Sequence, residues 1–108
     1  MGHMGSNLPV VFAKSGVAMA NSRDVAVYFE KNHRDVMRDV RNVIALDSRC
    51  ERKFALTSSP VHQPNGGVRM EPSYDMDRDG FTLLAMGFQG RKALAFKLAY
   101  IEAFNRER

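Results

Sequence analysis

Three arginines and an asparagine in one predicted helix have the residue types and spacing that suit contact with nucleic acid. At about 100° per residue, Arg34, Arg38 and Arg41 fall within about 60° of one another, and Asn42 sits beside them. A guanidinium group can bond two acceptors on a guanine edge or grip a phosphate, and an asparagine amide can pair with adenine. The spacing therefore indicates a DNA-contacting stripe. The alternative is a solvated helix face, because Asp35 is placed to pair with Arg38.

The rest of this helix and the segment before it predict a helix-turn-helix. The helix is expected over residues 34–46, and its opposite face carries apolar side chains that can pack on a core: Val36, Val40, Val43 and Ile44, with Met37 at the edge. A shorter helix is expected before it, with Ser22 as N-cap and an end near Lys31. Asn32 is expected to cap the second helix. Two short helices joined by a tight turn are typical of DNA-binding proteins, and we expect Lys31 and Arg23 to support the contact with the DNA backbone.

Other chemistry-bearing residues lack the partners that a catalytic or metal site needs. Asp75, Asp77 and Asp79 alternate, but a calcium loop needs further oxygen ligands, and the next six residues after Gly80 contain no acid. These aspartates are therefore interpreted as a strand end and a helix cap. Cys50 is the only cysteine and has no histidine paired with it in the sequence. We predict no enzyme activity, no cofactor and no metal site.

The remaining pattern predicts an α+β fold. Two apolar runs, over residues 8–13 and 17–20, flank a turn and indicate an N-terminal β-hairpin. A β-rich excursion is expected from strands near 54–58 and 68–76, around an Asn65-Gly66-Gly67 tip. A third helix capped by Asp77 or Asp79 ends near Gly87, and a fourth runs from Arg91 to about Asn105. This order, with a wing-like excursion after the helix-turn-helix and two C-terminal helices, is winged-helix-like.

Composition and charge limit the class of protein and the part that meets DNA. The chain has 108 residues, 44% hydrophobic and 26% charged, which excludes a disordered protein and suits one soluble domain. Residues 1–6 are interpreted as an expression-tag remnant and residues 7–108 as the domain. Without an export signal or a membrane segment, a cytoplasmic location is expected. The net charge is +4, but residues 54–90 are net −2, with Arg69 as the one base near the tip. The excursion is therefore not expected to clamp phosphates.

Three stretches of the chain resemble the phage Rha regulatory protein family. They are SRDVA at 22–26 with HRDVMRDV at 33–40, then YDMDRDGFTLLAMGF at 74–88, then GRKA at 90–93 leading to YIEAFN at 100–105. The likeness extends over roughly residues 17–105. Family members occur in phages and prophages and are treated as regulatory, so the resemblance implies transcriptional control of phage genes in a bacterial host cell, through DNA. It also implies that a further C-terminal domain is common, and it brings no catalytic motif.

The last helix carries two apolar arcs, which predicts a partner. Leu94, Leu98 and Ile101 form one arc, and a second arc lies about 200° to 280° further round: Ala93, Phe96, Tyr100 and Phe104. A surface helix of a small monomer usually buries one stripe. A homodimer or a phage or host regulatory protein is therefore expected on Leu94, Leu98 and Ile101, or on Phe96, Tyr100 and Phe104. Alternatively, the rest of the protein covers both arcs.

Two functions follow from these observations. The first is a DNA-binding transcriptional regulator that reads bases through Arg34, Arg38, Arg41 and Asn42. The second is an antirepressor-like factor that binds a protein through the last helix and never contacts DNA. Neither function involves a membrane.

Overall fold

A computed structural model describes residues 8–107, and the expected tag remnant over residues 1–6 lies outside that range. The elements are β1 (Phe12–Lys14), β2 (Val17–Asn21), α1 (Ser22–Tyr28), α2 (His33–Leu46), a 3₁₀ helix (Ser48–Lys53), β3 (Phe54–His62), β4 (Val68–Met76), α3 (Arg78–Ala85) and α4 (Arg91–Arg106). The fold is α+β and winged-helix-like, as predicted. Within these residues, no helix is both long and apolar enough to cross a membrane.

The N-terminal hairpin forms at the predicted turn. Ser15 and Gly16 both have positive φ, 53° and 79°, as a two-residue turn matched to the twist of its strands requires. Lys14 lies opposite Val17, and β1 pairs antiparallel with β2. The first strand begins at Phe12 rather than at Leu8, so it is shorter than the apolar run suggested.

Strand β4 is one of the two inner strands of a four-stranded antiparallel sheet with the order β1-β2-β4-β3. It pairs with β2 only at Met76 and Asp75, but with β3 along its whole length, from Met76 to Val68. The outer part of the β3–β4 hairpin therefore leaves the sheet as a two-stranded ribbon, which we call the wing. Pro60 and Pro72 lie within the wing's ladder, so their missing N–H groups fall on its open edges and protect them from further strand pairing.

The core is built largely from aromatic side chains that lie in the helices or directly after them. The ring centroids of Phe81 and Tyr100 lie 4.7 Å apart, and those of Phe29 and Phe88 lie 4.8 Å apart. Phe104 adds a further ring against Phe81. Rings at these separations bury a large apolar area and attract each other through their edges and faces. The helix-turn-helix and the two C-terminal helices therefore share one core.

Helix α4 turns its aromatic arc into this core. Tyr100 and Phe104 are fully buried, and Phe96 packs against the core from its rim. Tyr100 and Phe104 are therefore not available to the predicted partner, because α1 and α3 already cover these side chains. Phe96 is only partly buried, so a partner contact at this residue stays a prediction. The other predicted arc, Leu94 with Leu98 and Ile101, remains exposed.

Helix α3 begins where it was expected and lies very close to the start of β3. The Asp77 side chain caps it, with Oδ1 accepting the main-chain N–H of Gly80 at 2.7 Å. A β-carbon at Gly80 would lie 2.5 Å from the carbonyl oxygen of Lys53. Glycine is therefore needed here for close approach rather than for a special backbone conformation.

Candidate nucleic-acid interface

Helix α1 ends in a backbone turn that the sequence did not reveal. The predicted end near Lys31 is late, because the helix stops at Tyr28. Glu30 takes a left-handed conformation with φ 61°, and the N–H groups of Glu30 and Lys31 donate to the carbonyls of Val27 and Ala26 at 3.2 and 2.8 Å. This pair of bonds is a Schellman motif, which normally uses glycine at the left-handed position. It reverses the chain tightly enough for α2 to start at His33.

The two helices are joined to the sheet through a buried serine. Ser22 was predicted as the N-cap of α1, and that prediction is wrong: Asn21 is the cap, its side chain accepting the N–H of Arg23 at 2.9 Å. Ser22 is fully buried instead. Its Oγ lies 2.8 Å from Nε2 of His33 and accepts the main-chain N–H of Tyr74 at 2.9 Å. This brace connects the first turns of both helices to β4.

The brace also perturbs the histidine. Burial, reinforced by the positive charge of Arg23, lowers the pKa of His33 below its ordinary value, while the carboxylate of Glu71 has a smaller effect in the opposite direction. His33 is therefore held in its neutral form in the folded protein near neutral pH. With Ser22 buried and bonded to Tyr74, the Ser22–His33 pair serves as a structural contact rather than as a nucleophile and its base.

Helix α2 has the two faces that its periodicity predicted. Val36, Met37 and Val40 are buried, and Val43 and Ile44 pack against the core from its edge. The opposite face is exposed and carries Arg34, Arg38, Arg41 and Asn42. Asn32 stands at the N-cap position but makes no side-chain cap bond. The histidine brace and the buried valines therefore position the helix.

The exposed face, which we call the arginine stripe (Arg34, Arg38, Arg41 and Asn42), is partly compensated by acids of the same helix. Asp35 accepts a hydrogen bond from Arg38 at 3.1 Å and lies 3.7 Å from Arg34. Arg38 also comes within 3.8 Å of Asp39, an adjacent-residue pair that spacing rules based on the third and fourth neighbours miss. The side chains of Arg34 and Arg38 nevertheless remain 84% and 57% exposed. Exposed pairs of this kind contribute at most about 1 kcal/mol, so both arginines can exchange partners.

The C-terminal half of the stripe differs, because Arg41 forms no ion pair with any residue from 8 to 107. It lies at one side of a groove of about 340 Å³ between the end of α2 and the base of the wing. Glu51, Leu56 and Tyr74 line the same groove. Arg41 therefore stands at the junction of the second helix and the wing, with its guanidinium available to a ligand.

The two predicted backbone-supporting bases have different environments. Nζ of Lys31 lies 4.7 Å from the centre of the Phe88 ring, a cation–π contact that leaves the residue exposed beside the helix turn. Arg23 is turned onto β4, where its Nη2 bonds Oε1 of Glu71 at 3.2 Å and its side chain is mostly buried. Arg23 is therefore held by a carboxylate of the protein itself in this structure.

The wing offers little positive charge. Arg69 pairs with Glu71, which also receives Arg23, and together these arginines lower the pKa of Glu71. The face of the wing that carries Leu56, Val68 and Met70 is apolar and exposed. The alternation of these residues along β3 and β4 was visible in the sequence, but the exposure of their face was not.

The aspartates that suggested a metal have separate structural partners. Asp75 is buried and pairs with Lys14 at 2.9 Å, Asp77 caps α3, and Asp79 pairs with Lys53 at 3.0 Å. Across the part of the chain that the structure describes, no group of three His, Cys, Asp or Glu side chains is arranged to hold a metal ion. The three aspartates therefore serve the fold separately, Asp75 in strand β4 and Asp77 and Asp79 at the start of helix α3.

Comparison with known proteins identifies the family. The family described as the phage regulatory protein Rha matches residues 20–107, from the end of β2 through α4. The chain belongs to this family. Both helices, the wing and the two C-terminal helices of this Rha-family chain lie inside the matched region.

Two curated relatives carry the same region. The chain is 32% identical over 87 residues to a Haemophilus influenzae protein described as uncharacterized, covering 81% of this chain and 50% of that protein. It is 36% identical over 100 residues to an uncharacterized 22.8 kDa protein from the gp15–gp3 intergenic region of Salmonella phage P22, covering 89% of this chain and 47% of that protein. The chain thus spans about half the length of these relatives. No solved structure matches it significantly.

Proposed function

We propose that this Rha-family chain is a DNA-binding transcriptional regulator that places the exposed face of α2 in the major groove. The observation that carries the proposal is the arginine stripe, which lies opposite a face anchored by Val36, Met37 and Val40. A helix held on one side by the core and exposing guanidinium groups on the other can enter the groove, which is wide enough for one helix. The family's regulatory role in phages supports a target in phage DNA.

The ion pairs on α2 suggest different DNA contacts for its two ends. Arg41 and Asn42 are expected to contact the bases. Arg41 has no ion pair within residues 8–107 that would have to break before it binds DNA, and an asparagine amide matches the edge of adenine. Arg34 and Arg38 are expected to exchange Asp35 for phosphates. That exchange is favourable because an exposed ion pair is worth at most about 1 kcal/mol, whereas each neutralised phosphate releases counterions. Lys31, beside the turn, is expected to reach the backbone.

A salt titration of DNA binding tests this assignment. Fluorescence anisotropy with labelled duplexes from phage regulatory regions and of random sequence gives the affinity at several salt concentrations. We expect the double variant Arg38→Ala/Arg41→Ala to bind more weakly and to lower the slope of log affinity against log salt by about 1, since Arg38 is the phosphate contact that it removes and each such contact contributes about 0.9. Loss of a bidentate base contact would add about 1–3 kcal/mol of lost discrimination.

The matched control removes the same charge from another surface. Arg78 and Arg106 are exposed on α3 and α4, so the variant Arg78→Ala/Arg106→Ala has the same net charge as the test variant. It should bind DNA nearly as the parent does. Equal affinities and slopes for the parent and the Arg38→Ala/Arg41→Ala variant would refute the role of the stripe.

A protein-binding, antirepressor-like function is the second candidate. It is favoured by the pairing of Arg34 and Arg38 with Asp35, which reduces the free positive charge, and by the exposed leucines of α4. Under this alternative, no duplex binds more tightly than random DNA. The variant Leu94→Glu should then release a captured phage or host repressor, whereas Arg38→Ala/Arg41→Ala should retain it.

A further inference from the structure

Helix α4 presents an apolar stripe that the core does not use. The stripe consists of Leu94, Leu98 and Ile101, which are 59%, 54% and 39% exposed. Their spacing of four and three residues places them along one side of the helix. The opposite side is already filled, with Ala93, Tyr100, Ala103 and Phe104 buried against the rest of the protein.

The residues next to the stripe have the pattern of a helix–helix seam. Arg91 and Asn105 continue the same side, so that residues 91, 94, 98, 101 and 105 follow the alternating three- and four-residue spacing of a coiled coil. Leucine and isoleucine occupy the middle of that seam. A polar asparagine at one such position is a known means of setting register and partner number.

We propose that this stripe is the contact with a second copy of the chain, packed antiparallel. Charge complementarity identifies the occupant. Arg91 and Glu102 are exposed at opposite ends of the stripe, eleven residues or about 16 Å apart along the helix, which is too far for a pair within one chain. In an antiparallel arrangement, each Arg91 meets the Glu102 of the other copy, twice by symmetry. A parallel arrangement would place like charges together.

The wing is a weaker candidate for this contact. Its Leu56, Val68 and Met70 are 66%, 57% and 59% exposed, which is somewhat more than the residues of the α4 stripe. Its charges, however, are already satisfied, because Arg69 and Arg23 both pair with Glu71. Pro60 and Pro72 also block strand addition at its edges. The wing therefore has apolar area but nothing that specifies a second copy.

Three leucine-sized side chains form a small patch compared with stable interfaces of about 1,200–2,000 Å². We therefore expect a dimer that dissociates on dilution in the micromolar range. Assembly of this kind does not depend on the DNA-binding proposal. If both hold, two copies of α2 can address two half-sites about one turn of DNA apart.

Sedimentation velocity without DNA, between about 1 and about 500 μM, tests the contact. The parent should shift from monomer to dimer within this range. The variant Leu98→Glu should remain monomeric, because antiparallel packing brings the two carboxylates close together in an apolar seam. The matched control, Val68→Glu, changes a similarly exposed residue on the wing, which is 57% exposed, and should dimerise as the parent does.

Charge exchange tests the orientation. Arg91→Glu and Glu102→Arg should each weaken dimerisation several-fold, and the double variant should restore it. Because these residues cannot reach each other within one helix, restoration requires two chains. A parent that stays monomeric at the highest concentration overturns the proposal. So does a dimer that is lost in Val68→Glu but kept in Leu98→Glu, or a double variant that is no better than its singles.

Discussion

Replacement of Gly80 by alanine should separate α3 from the start of β3. The added β-carbon would lie 2.5 Å from the carbonyl oxygen of Lys53 and 3.1 Å from Cβ of Met76. Neither atom can move by rotation of a side chain, so a backbone segment must shift. That shift also threatens the hydrogen bond from the N–H of Asp77 to the carbonyl of Lys53, which is 3.3 Å long.

These contacts determine how much unfolding free energy the Gly80→Ala variant should lose. Overpacking of this kind costs about 1–3 kcal/mol, and a lost main-chain hydrogen bond adds about 1 kcal/mol. Alanine recovers up to about 1 kcal/mol through its higher helix propensity. We therefore expect a net loss of about 1–3 kcal/mol, which corresponds to a fall of roughly 5–20 °C in Tm for a domain of this size.

Thermal and urea unfolding followed by circular dichroism measure this loss. Gly87→Ala is the matched control, because its β-carbon would meet only the Leu84 carbonyl at 3.7 Å, an ordinary contact. The control should be neutral or slightly stabilising. If Gly80→Ala unfolds at the same temperature as the parent and the control, α3 does not press against Lys53, and the close-approach explanation of this glycine is wrong.

Three further predictions concern the helix-turn-helix. Ser22→Ala should cost about 1–3 kcal/mol in urea unfolding, because it leaves the buried N–H of Tyr74 without its acceptor; an unchanged midpoint would contradict the brace. The lowered pKa of His33 means that the unfolded chain binds a proton at higher pH than the folded one. The His33-dependent stability should therefore be fully present above about pH 6.5 and decline below it, and His33→Gln should flatten that decline in unfolding curves; identical slopes in the two proteins would rule out His33 as its source. Glu30→Gly should raise Tm, because glycine removes about 1 kcal/mol of left-handed strain while the exposed pair with Lys92 contributes less; a lower Tm would mean that the ion pair outweighs the strain.

Hydrophobic periodicity predicted the faces of the long helix α2, but it did not predict the residues that begin and end the helices. The two faces of α2 followed directly from a 3.6-residue repeat, because Val36 and Val40 are buried and Arg38 is exposed. Ser22 was misassigned because asparagine and serine are both good caps. Ser22 instead bonds His33 and Tyr74, which is 52 residues away. Such long-range bonds cannot be predicted from the local sequence.

The arcs of α4 illustrate a second limit. Both arcs were visible in the sequence, and hydrophobicity alone does not say which one enters the core. Tyr100 and Phe104 are buried because aromatic rings pack against them, namely Phe29, which directly follows α1, and Phe81 of α3. Leucine side chains at Leu94 and Leu98 would fill that space less well. The exposed arc thus became identifiable only when the other helices were in place.

The acids of α2 change how the arginine stripe is expected to work. A helix with three bare guanidinium groups would bind any phosphate backbone strongly and distinguish sequences poorly. Asp35 and Asp39 lower that general attraction, since each approaches the phosphates together with Arg38. Arg41 forms no ion pair with a residue that the structure describes, so we expect a larger share of the binding energy to come from the part of the helix next to Asn42 and the wing. On this argument, the salt slope reports mainly on Arg34 and Arg38, whereas discrimination between duplexes reports mainly on Arg41.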